Sequence, residues 1–133
     1  KVASLTDYHE KDRQKIDRLK SSGILAASHI LIASDYTGLR TSDIEDVIGS
    51  NAYIKLVNEC YNLDDERQIP LLETETGKVL SYVEEKMSVI EGLSFNHYAP
   101  SVEHPNVWDA QDIAPALDRF EKMFSDLNAL LTP

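Results

Sequence analysis

The chain has 133 residues, of which 42% are hydrophobic and 27% charged; that is the size and balance of one globular domain, residues 1–133, and it excludes disorder for the bulk of the sequence. Its formal net charge is −10, a field that repels phosphate backbones and excludes nucleic acid as a partner except through residues 1–20, where bases outnumber acids. A single cysteine, Cys60, excludes an intrachain disulfide, and no apolar run approaches the length of a membrane span.

The first predicted helical region runs from about Ser4 to Tyr36. Ile16, Leu19, Gly23, Ala26, Ile30 and Ala33 alternate spacings of three and four, which puts them on one stripe. Residues 23–33 are apolar nearly all round and are expected to be the most buried part. Ser21-Ser22-Gly23 marks a kink, or a break into two shorter helices. Tyr36-Thr37-Gly38-Leu39-Arg40 reads as a stop and a turn. Ser42-Asp43-Ile44-Glu45 has the form of a capping box, and Ile44, Val47, Ile48, Ile54, Val57, Cys60 and Tyr61 supply the apolar positions that follow. Gly49-Ser50-Asn51 interrupts them, so a short helix followed by a longer one fits.

Asp64-Asp65-Glu66-Arg67-Gln68 is a polar connection, and Ile69-Pro70 restarts the chain. The spacing of Leu72, Thr76, Val79, Leu80, Val83, Met87 and Ile90 predicts a third helix over 71–91. Thr76-Gly77 between two apolar pairs also fits a hairpin, and a helix starting only near Lys78 is the fallback. Gly92 to Asp109 is the longest irregular stretch. Asp109 or Asp112 caps a final helix with Pro115 in its first turn. Ile113, Leu117, Phe120, Phe124, Leu127 and Leu131 form its stripe. Burying six such residues is worth on the order of 10 kcal/mol before conformational entropy is set against it. These elements predict an all-α fold: an antiparallel bundle of about four helices, with a long aromatic-containing loop before the last helix.

The chain carries little that points to chemistry. It has no Glu-x-x-His for a di-iron bundle, no His-Glu-x-x-His, no Gly-x-Ser-x-Gly and no Walker loop. No catalytic residue, metal ligand set or cofactor is therefore assigned. His97 and His104, with Glu103 and Asp109, share one loop and form the sole candidate metal cluster. His29 lies in an apolar segment but lacks the lysine and glycine setting of an exposed phosphoacceptor, so a hydrogen-bonded histidine at the core edge is the plainer reading. Cys60 sits among apolar neighbours, as an inert thiol does.

Three functional readings follow. In the leading one the chain is a small acidic interaction domain that binds and regulates or inhibits another protein, basic in the concrete version. Its partner-binding residues are Asp64, Asp65 and Glu66 with the aromatics Phe95, Tyr98 and Trp108. The same aromatics could instead fold back and plug one end of the bundle. The second reading is a ligand-binding or sensory bundle with a pocket lined by His29, Tyr36, Tyr53 and Tyr61. The third is a metal-dependent enzyme built on the His97/His104 loop. A stripe with 3-4 spacing can also join two copies, so a homodimer is compatible with each. A lone cysteine fits a reducing compartment and a bacterial periplasm alike.

Overall fold

A parallel pair of strands, β1 (Ser4–Thr6) and β2 (Ile30–Ile32), opens the fold. The computed structural model describes residues 2–103 and 106–132. Ser4 pairs with Ile30, Leu5 with Leu31 and Thr6 with Ile32, and the amide of Ala33 extends the pairing to the Thr6 carbonyl at 3.0 Å. Parallel strands need a crossover, and α1 (Arg13–Ser21) provides it, flanked by 3-10 turns at Glu10–Asp12 and Ala27–His29.

This overturns the all-α four-helix bundle. The chain is mostly helical, but its N-terminal quarter is a small strand–helix–strand unit. The long first helix stops at Ser21. Ser22 caps the end by donating its hydroxyl to the Leu19 carbonyl at 2.7 Å, and Gly23 turns left-handed at φ +72°, which suits a residue without Cβ. Beyond it, two β-branched residues in Ile30-Leu31-Ile32 suit a strand better than a helix. Residues 23–33 are also not the most buried part: Ile30 and Ala33 are buried, whereas Ile24 is 84% exposed and Ala26 to Ser28 face solvent.

A single turn, α2 (Ser34–Thr37), follows and ends at Gly38, again left-handed. The helices α3 (Ile44–Ile48) and α4 (Ser50–Cys60) are separated at Gly49. The cap of α3 lies one residue later than the Ser42/Glu45 pattern implies. Asp43 and Asp46 form the reciprocal box, with the Asp43 amide donating to Asp46 Oδ2 at 2.8 Å. Ser42 is occupied elsewhere: it exchanges main-chain hydrogen bonds with Tyr8, and its hydroxyl meets Thr37 Oγ1 at 2.6 Å.

Residues 62–78 then cross the molecule without regular structure, as a strap, before α5 (Val79–Ser88) begins. The helix over 71–91 is thus confined to its second half, and no strands form the hairpin. The long loop holds a short helix, α6 (Ala99–Glu103). The last helix, α7 (Ala110–Leu131), is capped by Asp109, which accepts the amides of Gln111 and Asp112. Among the described residues no helix is long and apolar enough to cross a membrane.

The core sits between α4, the strap and α5. Tyr53, Ile54 and Val57 meet Leu63 and Ile69 from the strap, and Val79, Val83 and Met87 from α5. α7 packs on α2, α3 and α4, yet its core-facing residues are Ala116 and Met123. The expected stripe lies one position round the helix. Leu117, Phe124 and Leu131 remain 58%, 55% and 45% exposed.

Candidate functional site

The acidic turn grows out of the end of α4. Asn62 adopts φ +49°, a conformation asparagine tolerates, and the chain reverses into Asp64–Arg67. Arg67 folds back on Asp64, with Nε and Nη2 donating to Oδ2 at 3.0 and 2.7 Å. That hydrogen bond holds the Asp64 carboxyl below the ordinary carboxylate range. Asp64 is thereby partly neutralised within its own turn, and Asp65 and Glu66 are the acids left facing outward.

Two asparagines one heptad apart on α4 hold the strap. Asn58 donates to the Ile69 carbonyl at 3.0 Å and accepts the Ile69 amide at 2.9 Å. Asn51 does the same for Leu72, at 2.9 and 2.7 Å. From α5, Tyr82 donates its hydroxyl to the Pro70 carbonyl at 3.1 Å. The strap is thus bound through its main chain, as an added strand would be, while Ile69 enters the core. Asn58→Ala leaves both Ile69 main-chain groups without these partners; a loss of about 1–3 kcal/mol is expected in urea unfolding. Asn58→Asp keeps the acceptor but not the donor, so it should fall in between.

Open grooves border the strap. One of about 660 Å³ lies beside Lys55, Glu59, Asp65, Leu71 and Val107. A second, about 420 Å³, is lined by Glu66, Arg67, Lys86, Val89 and Glu91. A third, about 370 Å³, is lined by Glu73, Lys78, Tyr82 and Glu85. Leu71 and Val89 are exposed apolar side chains on the first and second grooves, where Lys55 accompanies Glu59 and Asp65, and Arg67 and Lys86 accompany Glu66 and Glu91. Residues 59–91 carry nine acids and three bases. More than half of the net charge therefore belongs to a quarter of the chain.

The aromatic loop divides between anchors and surface. Trp108 donates its indole N–H to the Ala52 carbonyl at 2.7 Å, so it folds back on α4. Phe95 packs on the core beside Tyr61, with ring centroids 5.8 Å apart. Only Tyr98 of the three is well exposed, at 70%, with its ring against His97. Of the six residues expected to bind a partner, Asp64, Asp65 and Glu66 lie together, while Phe95 and Trp108 serve packing.

The four expected pocket residues engage different parts of the chain. Tyr53 and Tyr61 both tether the aromatic loop, donating to the carbonyls of His97 and Asn96 at 3.4 and 3.3 Å. Tyr36 donates to Asp126 on α7 at 3.1 Å; burial pushes its hydroxyl up to about 12, and Asp126 adds to the shift. The His29 ring meets the Val2 carbonyl at 2.9 Å. None of the four lines the grooves around the strap.

The sequence reading missed a second constellation, at the start of α3. Asp43, Glu45 and Asp46 are all buried. His9 Nε2 lies 2.5 Å from Asp43 Oδ1, Asp7 accepts the Ile44 amide at 2.9 Å, and Asp46 Oδ1 accepts the Val79 amide at 3.1 Å. Burial raises the carboxyls of Asp7 and Glu45, and that of Asp46 to about 6. The signal was Asp46, three residues after Asp43, which forms a capping box of its own. Among the described residues no three His, Cys, Asp or Glu side chains are grouped to hold a metal. His104 lies outside the described residues.

No protein-family model matches the chain, and neither a curated protein nor a solved structure matches it.

Proposed function

We propose that the chain is a small acidic interaction domain that binds a basic partner protein and regulates or inhibits it. One observation carries the reading. Six of the nine acids of residues 59–91, namely Glu59, Asp65, Glu66, Glu73, Glu85 and Glu91, line the open grooves beside the strap, next to the exposed apolar side chains Leu71 and Val89. A field of one sign steers an oppositely charged partner and speeds association, while apolar contacts hold it afterwards. The anchors differ from those expected from sequence. Leu71 and Val89 are the exposed apolar side chains beside the grooves, whereas Trp108 is engaged with α4.

The test compares two charge reversals of equal size. Asp65→Lys with Glu66→Lys alters the acidic surface; Asp17→Lys with Asp35→Lys makes the same change of net charge elsewhere. The probe is a lysine-rich amphipathic helical peptide, and association is followed by stopped flow at low and high salt. The first pair should slow association about tenfold at low salt, with the difference fading at high salt. Equal slowing by the two pairs would mean that net charge alone acts and that the strap surface is not the site.

A further inference from the structure

The apolar stripe of α7 stands out because much of it stays exposed. Leu117, Phe124 and Leu131 recur every seven residues, so they form one row along about 21 Å of helix. All three are roughly half exposed. Phe120 and Leu127 lie half-buried beside the row, and the Phe120 ring stacks against Phe124 at 6.1 Å, which fixes its orientation. The row beyond, away from the core, consists of Ala110, Ala114, Glu121 and Asn128, all exposed. Glu121 is the one charge there. The other charged side chains of α7, Asp112, Asp118, Arg119, Lys122 and Asp126, lie round the rest of the helix.

A basic partner would be drawn to an acidic rim, and this stripe has almost none. A charge-poor apolar row fits a surface like itself. The row is also symmetric about its centre: Leu, six residues, Phe, six residues, Leu. We propose that α7 is the seam of an antiparallel homodimer with its two-fold axis at Phe124. Leu117 then meets the partner's Leu131, and Phe124 meets the partner's Phe124. Glu121 faces the partner's Asn128 rather than another carboxylate. The opposite orientation would bring Asp109, Asp112 and Asp118 of both copies to one end, where they repel, and would align the two helix dipoles unfavourably. The seam does not depend on the acidic surface around the strap, which lies on other elements.

Sedimentation velocity tests the seam, from about 5 µM to about 500 µM. The unmodified chain should pass from monomer to dimer, more readily at high salt, which screens the −10 charge of each copy. Phe124→Lys should raise the dimer dissociation constant at least about tenfold with an unchanged far-UV spectrum. Leu117→Lys carries the same test if the first variant fails to fold, and Ile24→Lys, on another exposed apolar residue, should leave the dimer intact. In a Cys60→Ala background, Phe124→Cys should form an interchain disulfide under mild oxidation. Leu117→Cys should not, because its equivalent is about 21 Å away. A chain that stays monomeric throughout, or a dimer that survives both lysine variants, overturns the seam. Ready cross-linking of Leu117→Cys overturns its antiparallel register.

Discussion

Gly77→Ala is expected to destabilise the fold by about 3 kcal/mol, although the backbone at Gly77 is not left-handed. The cause is space. A Cβ at this position would lie 1.7 Å from the Thr41 carbonyl oxygen and 2.7 Å from its carbon. Both are main-chain atoms, so no side chain can swing aside, and the strap must lift by more than an ångström. Lifting it breaks the bond from the Thr41 hydroxyl to the Gly77 carbonyl, now 3.1 Å. It also pulls on the Val79 amide, which Asp46 accepts two residues further on. The comparison is Gly92→Ala. Gly92 is left-handed at φ +79°, but nothing lies within 4 Å of its added Cβ, so the cost is the conformational one alone, about 1 kcal/mol. Urea midpoints of the two variants should separate clearly. Equal midpoints would mean that the strap is not pressed on Thr41 in solution.

What could be read from the sequence depended on how local its cause was. The start of α5 near Lys78 is only the fallback to the helix expected over 71–91, whereas the Gly49 break and the Asp109 cap both answer to chemistry within a few residues, a glycine at positive φ and a carboxylate on nearby amides. The β1–β2 pair does not. Its partners lie 26 residues apart, and nothing in Ser4-Leu5-Thr6 announces a mate. The 3-4 spacing of Ile16, Leu19, Gly23, Ala26, Ile30 and Ala33 then arises without one helix running through it. The strap was opaque for a similar reason. Asn51 and Asn58 look like ordinary polar positions on α4 until Leu72 and Ile69 arrive with unpaired main-chain groups. On α7 the period was right and the direction was not. Spacing defines a face; what covers that face is decided by its neighbours.

The candidate surface shows the same division. Asp65 and Glu66 are exposed because a charged turn has nowhere else to be. Trp108 follows another rule: a large apolar ring with one donor packs where a carbonyl is within reach, and Ala52 offers it.

Lowering the pH from about 7.5 to about 4.5 should stabilise the chain, and Asp46 is the main reason. Its side chain is fully buried. Burial raises its carboxyl from 3.8 to about 6, against the lowering effect of the amides of Asp43 and Val79, with Asp43 and Glu45 adding to the rise. In the unfolded chain it returns to the ordinary value. Between the two values the folded state binds the extra proton, so stability decreases as pH rises. The contribution is fully present below about 4 and lost as pH climbs through about 6; a shift of this size corresponds to roughly 3 kcal/mol. Glu45 and Asp7 are also raised by burial and act in the same direction. Further acidification reverses the trend. The Asp112 carboxyl, paired with Lys55 at 2.5 Å, is held below its usual value, as are those of Asp12 and Asp64. Their contribution disappears only as pH falls below about 4. Urea midpoints should therefore peak on the acid side, near pH 4 to 5. Asp46→Asn removes the titration while keeping one of the two acceptor contacts, so its midpoint should change much less between about pH 4.5 and 7.5. An unmodified chain that loses stability steadily on acidification from 7.5 would show that Asp46 is hydrated and ionised, and that the start of α3 is open to water rather than sealed against α5.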